Sequence, residues 1–119
     1  MSQNRLAYIA NGNTLRVEDV QIVFGDNIKD VLEISGMLIL LTIKRDGYFP
    51  SENVFGVSLS EKKIKWQIAK LNYDAGDSCP FVGIKFYNNQ LYLNNWCDIY
   101  LIVDPLTGEI LERSAPAKR

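Results

Sequence analysis

Short apolar runs separated by turn residues are the feature of this sequence that most limits the folds open to it. No window of about a dozen residues keeps the i, i+3, i+4, i+7 apolar spacing of an amphipathic helix. The runs have the length and the β-branched content of strands. We predict strands at residues 6–9, 14–17, 20–24, 31–34, 37–43, 54–59, 64–68, 81–86, 91–93, 99–103 and 110–111. The connections are too short for parallel crossovers, so the pattern predicts antiparallel meanders in an all-β fold.

The Asp-Pro-Leu-Thr-Gly segment at residues 104–108 stands between two apolar runs. The side chains of Asp104 and Thr107 can bond to nearby backbone amides, and Pro105 presets φ at the first corner of a turn. Gly108 supplies a positive φ before the next strand. The segment therefore predicts a tight reversal of the chain, in preference to a catalytic role for Asp104.

An internal repeat covers most of the chain. The apolar runs and turns of residues 28–68 recur in the same order at residues 81–112, and such self-similarity is typical of repeated structural units. We predict one domain over residues 1–119 that contains two antiparallel four-stranded meanders. We expect the meanders to pack face to face and to be extended by an N-terminal hairpin, whose turn is Asn11-Gly12.

The second copy resembles the quinoprotein-type β-propeller repeat, which has an aspartate, then Thr-Gly, then a tryptophan closing the last strand. Asp104, Thr107 and Gly108 match that pattern, but Glu112 stands where the tryptophan is expected. The first copy keeps the tryptophan, as Trp66, and lacks the aspartate and the glycine. The resemblance implies blade-like sheets. Two blades cannot close a ring that normally needs about four or more, so the resemblance implies no cofactor site and we expect no cofactor.

The order of motifs along the chain is also similar to that of small bacterial immunity proteins encoded beside polymorphic or contact-dependent growth-inhibition toxins. The motifs are Trp66-Gln67-Ile68, residues 80–84, Asn95-Trp96 and the segment from Tyr100 to Asp104. This resemblance implies an inhibitor that binds a cognate, basic, nuclease-like toxin domain and occludes its active site. The alternative is a non-catalytic, propeller-derived scaffold or ligand-binding module that self-associates. We expect a monomer or a weak homodimer.

The charge distribution fits either a solvated surface or an acidic face that is presented to a basic partner. The net charge is only −1, yet residues 71–112 contain six acids against Lys85, and residues 17–33 contain five acids against Lys29. Such acidic segments attract a basic protein surface and repel nucleic acid. The sequence therefore predicts a protein partner and no nucleic acid.

Histidine is absent from the sequence, which removes the usual activator of a serine or cysteine nucleophile. The two cysteines, Cys79 and Cys97, are predicted to be free thiols and do not form the close pair of a metal site. We therefore predict a protein that is not an enzyme and binds no metal. No apolar run reaches the ~18 residues of a membrane span, and the N-terminus lacks a signal-peptide pattern, so we expect a cytoplasmic location.

Five residues are predicted to contact the partner: Asp74, Asp77, Trp96, Asp98 and Tyr48. The first two lie on the connection between the meanders, and Asp98 adjoins Trp96 at a strand end. Exposed tryptophan and tyrosine residues are frequent anchors of protein interfaces. Trp96 is the first choice of anchor, and Tyr48, in the long connection within the first meander, is the second.

Trp66 is predicted to be buried between the two meanders. Its expected companions in the core are Leu38, Leu40, Val57, Leu91, Leu93 and Leu101.

Overall fold

The computed structural model describes residues 8–50, 52–69, 80–96 and 99–114. These residues form strands and no helix, so the all-β prediction is confirmed. The strands are β1 Tyr8–Asn11, β2 Thr14–Val17, β3 Val20–Val23, β4 Asn27–Ile34, β5 Met37–Ile43, β6 Val54–Ser58, β7 Lys63–Gln67, β8 Phe81–Tyr87, β9 Gln90–Asn95, β10 Tyr100–Val103 and β11 Ile110–Arg113. Each lies within a few residues of a predicted strand.

Three antiparallel meanders contain these strands. The middle sheet has the order β4-β5-β6-β7 and the C-terminal sheet the order β8-β9-β10-β11, which confirms the two predicted four-stranded meanders. The N-terminal sheet has the order β1-β2-β3, so the predicted hairpin carries a third strand. Its first reversal is the predicted one, with Gly12 at φ 62°.

The middle sheet lies between the other two. Along β5, Met37, Ile39 and Leu41 belong to a core shared with the C-terminal sheet. Leu38 and Leu40 belong to a second core, which they share with the N-terminal sheet. Because successive side chains of a strand point to opposite faces, β5 is buried on both sides.

Part of the expected surroundings of Trp66 is therefore wrong. Leu91, Leu93 and Leu101 share its core as predicted. The other three expected companions, Leu38, Leu40 and Val57, lie in the core against the N-terminal sheet. The register explains the difference: Leu38 is paired with Val57, and Trp66 is paired with Gly56, one residue away and hence on the opposite face.

The N-terminal and middle sheets are also linked by an ion pair at the surface. The ammonium of Lys62 lies 2.8 Å from a carboxylate oxygen of Glu18 and 3.6 Å from one of Asp19. The hydrogen bond and charge of Glu18 raise the pKa of Lys62 above its usual value. Two of the acids in the segment 17–33 thus have a cation beside them within the same molecule.

Trp66 connects the middle and C-terminal sheets. Its indole nitrogen donates a hydrogen bond of 2.8 Å to the carbonyl oxygen of Pro105. The indole ring lies against Gly108, where φ is +78° and a Cβ atom would come within 2.6 Å of the ring. A side chain at position 108 would therefore displace the indole.

The segment 104–108 that receives the indole is the predicted tight turn. The backbone N–H of Gly108 donates to the carbonyl of Asp104 at 2.8 Å, and a carboxylate oxygen of Asp104 accepts the N–H of Leu106 at 2.9 Å. The hydroxyl of Thr107 accepts the N–H of Glu109 at 3.2 Å. Asp104 and Thr107 act as turn residues that shape a docking surface for Trp66.

Asn53 makes a second, buried connection between the same two sheets. Its side-chain amide donates to the carbonyl of Phe81 at 2.7 Å and to the carbonyl of Thr42 at 3.0 Å, and its Oδ1 accepts the N–H of Phe81 at 3.1 Å. The residue is only 1% exposed. One side chain therefore satisfies three backbone groups from two sheets, as buried polar groups require.

Candidate functional site: an aromatic pocket

Two of the five predicted contact residues, Tyr48 and Trp96, lie in the described part of the chain. Asp74, Asp77 and Asp98 lie outside it, as do Cys79 and Cys97, and the predictions made for them stay predictions. Tyr48 and Trp96 are each 72% exposed. Neighbouring exposed aromatic side chains are candidates for contact with another molecule.

Tyr48 is held by a compact loop between β5 and β6. The backbone N–H of Lys44 donates to the carbonyl of Tyr48 at 2.8 Å, and that of Gly47 donates to the carbonyl of Lys44 at 2.9 Å. A carboxylate oxygen of Asp46 accepts the N–H of Tyr48 at 3.2 Å. Phe49 packs against the core next to this turn. The loop is anchored by Phe49 and holds the ring of Tyr48 in solvent.

Trp96 is held from the C-terminal sheet, where it directly follows β9. Its backbone N–H donates to the carbonyl of Pro80 at 2.8 Å, which joins the end of β9 to the residue before β8. The preceding residue, Asn95, is buried, and its Oδ1 accepts the N–H of Ile99 at 3.3 Å. The backbone N–H of Trp96 and the side chain of the preceding residue are thus held by hydrogen bonds, while the indole of Trp96 is exposed.

The two aromatic residues meet in one pocket at the boundary of the middle and C-terminal sheets. The pocket is lined by Gly47, Tyr48, Phe49, Pro80 and Trp96 and has a volume of about 420 Å³. Ligand pockets in proteins typically have volumes of ~300–1,000 Å³ and mostly apolar walls. The structure therefore brings together the first and second choices of anchor, which come from different sheets.

Sequence reasoning missed the other two large contributors, Phe49 and Pro80. Phe49 follows Tyr48 directly, and a Tyr-Phe-Pro run in a long connection is a signal for a local apolar cluster. No comparable signal places Pro80 here, because its position depends on how the two sheets pack.

The buried side chain of Asn53 connects the two parts of the chain that carry the described walls of the pocket. Asn53 closes the loop that carries Tyr48, and its partner Phe81 directly follows Pro80. The hydrogen bonds of Asn53 therefore fix one wall of the pocket relative to the other.

None of the five described residues that line the pocket is acidic or basic. Lys44 and Arg45 are exposed in the same loop, and the carboxylate of their neighbour Asp46 accepts the hydrogen bond of the Tyr48 N–H.

Within the described ranges, no group of three or more His, Cys, Asp or Glu side chains is placed to hold a metal ion. The same residues contain no helix that is long and apolar enough to cross a membrane.

The comparison with protein families assigns the chain to a group. Residues 6–115 match the model of a family described as Domain of unknown function (DUF7957). The chain belongs to this family. The match covers all three sheets and every described residue of the pocket lining. A search of curated proteins found no match.

Proposed function

We propose that this DUF7957 protein is an immunity protein, which binds a cognate toxin domain and occludes its active site with the aromatic pocket as the anchor. The observation that carries the proposal is the meeting of Tyr48 and Trp96, both 72% exposed, in one apolar pocket supported by two sheets. Tryptophan and tyrosine are enriched among the few residues that carry most of the binding energy of an interface. A rigid support also lowers the entropy lost when such side chains bind.

The charge of the C-terminal half supplies the second element of the proposal. Residues 71–112 carry the larger acidic excess, and Glu18 and Asp19 of the other acidic segment are partly neutralised by Lys62. A basic toxin domain would therefore be steered toward the C-terminal half before the aromatic residues dock.

The first prediction tests the anchor. The product of the gene adjacent to that of this protein serves as the candidate toxin, and the complex is measured by light scattering and calorimetry. We expect Trp96→Ala and Tyr48→Ala each to weaken binding at least about tenfold, as loss of a hot-spot residue does. Tyr87→Ala is the matched control, since Tyr87 is an exposed tyrosine of the C-terminal sheet that is not part of the pocket lining. Equal losses for all three variants would contradict the anchor.

The second prediction tests the steering charges. Reversing Asp74, Asp77 and Asp98 to lysine should leave the fold intact and slow association with the toxin domain by about an order of magnitude or more at low salt. Stopped-flow association rates at two salt concentrations measure this. Unchanged rates would place the interface elsewhere, on the segment 17–33.

The open edge of the C-terminal sheet favours the alternative, a scaffold that self-associates. Strand β11 is the edge of that sheet and all four of its residues are exposed, including Leu111 at 58%. Unprotected edges pair readily with another chain. A molecular mass that rises with concentration in the absence of a toxin domain, and falls in Leu111→Lys, would favour the scaffold.

A further inference from the structure

We propose that the outer face of the C-terminal sheet, which is the face turned away from the middle sheet, is the contact surface of a homodimer in which two copies pack face to face. This inference goes beyond the proposed function and uses a different surface from the aromatic pocket, which lies where the C-terminal sheet meets the middle sheet. It also differs from pairing along the edge strand β11, because here the two sheets stack on each other.

The strand pairing places four side chains in one row across this face. Lys85 of β8 is paired with Tyr92 of β9. Tyr92 is paired with Ile102 of β10, which is paired in turn with Glu112 of β11. Both neighbours of Tyr92 along β9 belong to the core shared with the middle sheet, so the row lies on the outer face. The row therefore has a cation at one edge of the sheet, a carboxylate at the other edge, and an aromatic and an aliphatic residue between them.

The two charged ends of the row are available to another molecule. Lys85 and Glu112 are both exposed, and no ion pair between described residues includes either of them. The ammonium of Lys85 lies 5.4 Å from the centroid of the Tyr87 ring. Within one molecule the backbones of Lys85 and Glu112 are separated by three strand spacings, which is about 14 Å, and the structure does not join their side chains. An ion pair between these two residues therefore requires a second copy.

A second copy presents the complement of this row. A two-fold axis that lies over the face and runs parallel to the strands, between β9 and β10, brings β8 of one copy opposite β11 of the other. Each Lys85 then stands opposite Glu112 of the other copy, and each Tyr92 stands opposite Ile102. Sheets that stack lie ~10 Å apart, a gap that the long side chains of lysine and glutamate span together. Because the axis repeats every contact, the dimer gains two ion pairs and no like charges meet within the row.

Tyrosines form the centre of the proposed contact. The rings of Tyr92 and Tyr100 lie side by side on this face, with centroids 5.4 Å apart. Tyr100 is exposed and is paired with Asn94, which is exposed as well, so the same axis places an uncharged polar residue opposite each Tyr100. Protein interfaces are enriched in tyrosine and have few charges at their core. The uncharged centre of this face, with its charges at the two edges, has that arrangement.

The size of the face predicts a weak dimer. Four strands with a spacing of ~4.8 Å and a rise of ~3.3 Å per residue offer a contact of about 400 Å² per copy. Stable interfaces bury about 800 Å² per partner. We therefore expect association only at high protein concentration. Salt should weaken it, because the ion pairs lie at the solvent-exposed edges of the contact.

Charge reversal tests the facing pairs. The full chain is measured by sedimentation equilibrium from micromolar to millimolar concentration, and circular dichroism verifies that each variant keeps its strands. We expect the wild type to dimerise, and Lys85→Glu and Glu112→Lys each to weaken the dimer at least about tenfold, since each change makes both attractive pairs repulsive. Lys29→Glu is the matched control, because Lys29 is an exposed lysine of the middle sheet. It should leave the dimer unchanged.

Mixing the two variants tests the geometry. When a Lys85→Glu chain faces a Glu112→Lys chain, both pairs are attractive again. We therefore expect an equimolar mixture of the two variants to form heterodimers, and the double variant with both changes to dimerise as the wild type does. A wild type that stays monomeric at the highest concentration, or a mixture that stays monomeric, would overturn the inference. Loss of the dimer in Leu111→Lys but not in Lys85→Glu would also overturn it, in favour of pairing along β11.

Discussion

The middle and C-terminal sheets have the same strand order but differ in how many of their faces are covered. The second strand of the middle sheet, β5, is MLILLTI, and its first six residues are buried. The second strand of the C-terminal sheet, β9, is QLYLNN, in which buried residues alternate with exposed or half-buried ones. The same position in two similar sheets thus has two different sequence patterns.

The difference shows that a continuous apolar run indicates a strand whose sheet is covered on both faces. Strands buried on both sides have near-continuous apolar sequences, whereas strands with one open face alternate. In β5, Leu38 and Leu40 belong to the core shared with the N-terminal sheet. Ile39 and Leu41 belong to the core shared with the C-terminal sheet. In β9, Leu91 and Leu93 face the core, and Tyr92 lies on the outer face beside Tyr100, with ring centroids 5.4 Å apart.

The largest expected effect concerns Trp66, in the last strand of the middle sheet. The last strand of the C-terminal sheet has Glu112 at the matching position of the repeat. Trp66→Ala should lower the free energy of unfolding by about 3–5 kcal/mol, as loss of a buried large aromatic does. The reciprocal change, Glu112→Trp, should give no comparable gain, because residue 112 is exposed and belongs to the outermost sheet. Urea denaturation of both variants measures this. A loss below about 1 kcal/mol for Trp66→Ala would contradict the burial of Trp66, since a deleted buried aromatic costs more.

A smaller effect compares the face of the middle sheet that packs against the N-terminal sheet with the outer face of the C-terminal sheet. Leu40→Ala should cost about 2–5 kcal/mol, because Leu40 is fully buried against the N-terminal sheet. Tyr92→Ala, at a half-buried position on the outer face of the C-terminal sheet, should cost clearly less. Thermal and urea unfolding midpoints would show the contrast. Similar losses in the two variants would mean that the outer face is as well covered as the middle sheet.

The last and most local effect tests the polar connection between the two sheets. Asn53→Ala removes the side-chain partner of the N–H and C=O of Phe81 and of the C=O of Thr42, and each of these groups that stays buried and unsatisfied costs about 1–3 kcal/mol. Asn94→Ala is the matched control, since Asn94 is exposed. Hydrogen exchange at the Phe81 amide should accelerate in the Asn53 variant alone. Unchanged protection of that amide would show that the side chain of Asn53 is not its principal partner.

The strands and turns were predictable from the sequence because they depend on local chemistry. Apolar runs, Asn11-Gly12 and the segment 104–108 determine which residues extend and which reverse, and the structure confirms them. The strand at residues 20–24 was predicted, but its pairing with the N-terminal hairpin, and the layer that the resulting sheet forms against the middle sheet, were not. The continuous apolar run of β5 indicated this layer, because Leu38 and Leu40 would be exposed to solvent if one face of the strand were uncovered.

The site was predictable only in part. Tyr48 and Trp96 were selected because they are aromatic residues in exposed connections, which is a local property. Their meeting depends on the packing of two sheets and on Asn53, whose hydrogen bonds reach a residue 28 positions away. No sequence pattern specifies a contact of that range, so Phe49 and Pro80 were not identified as part of the pocket.

The order of the sheets has a consequence for how the molecule folds. Every strand pairs only with its neighbours in sequence, so each meander closes short loops and can form early. The contacts of Asn53 with Phe81 and of Trp66 with Pro105 span 28 and 39 residues, and they form when the middle and C-terminal sheets dock. The walls of the aromatic pocket belong to these two sheets. A chain whose two sheets have formed but have not docked therefore lacks the aromatic pocket, and any molecule that needs the pocket would bind only fully folded chains.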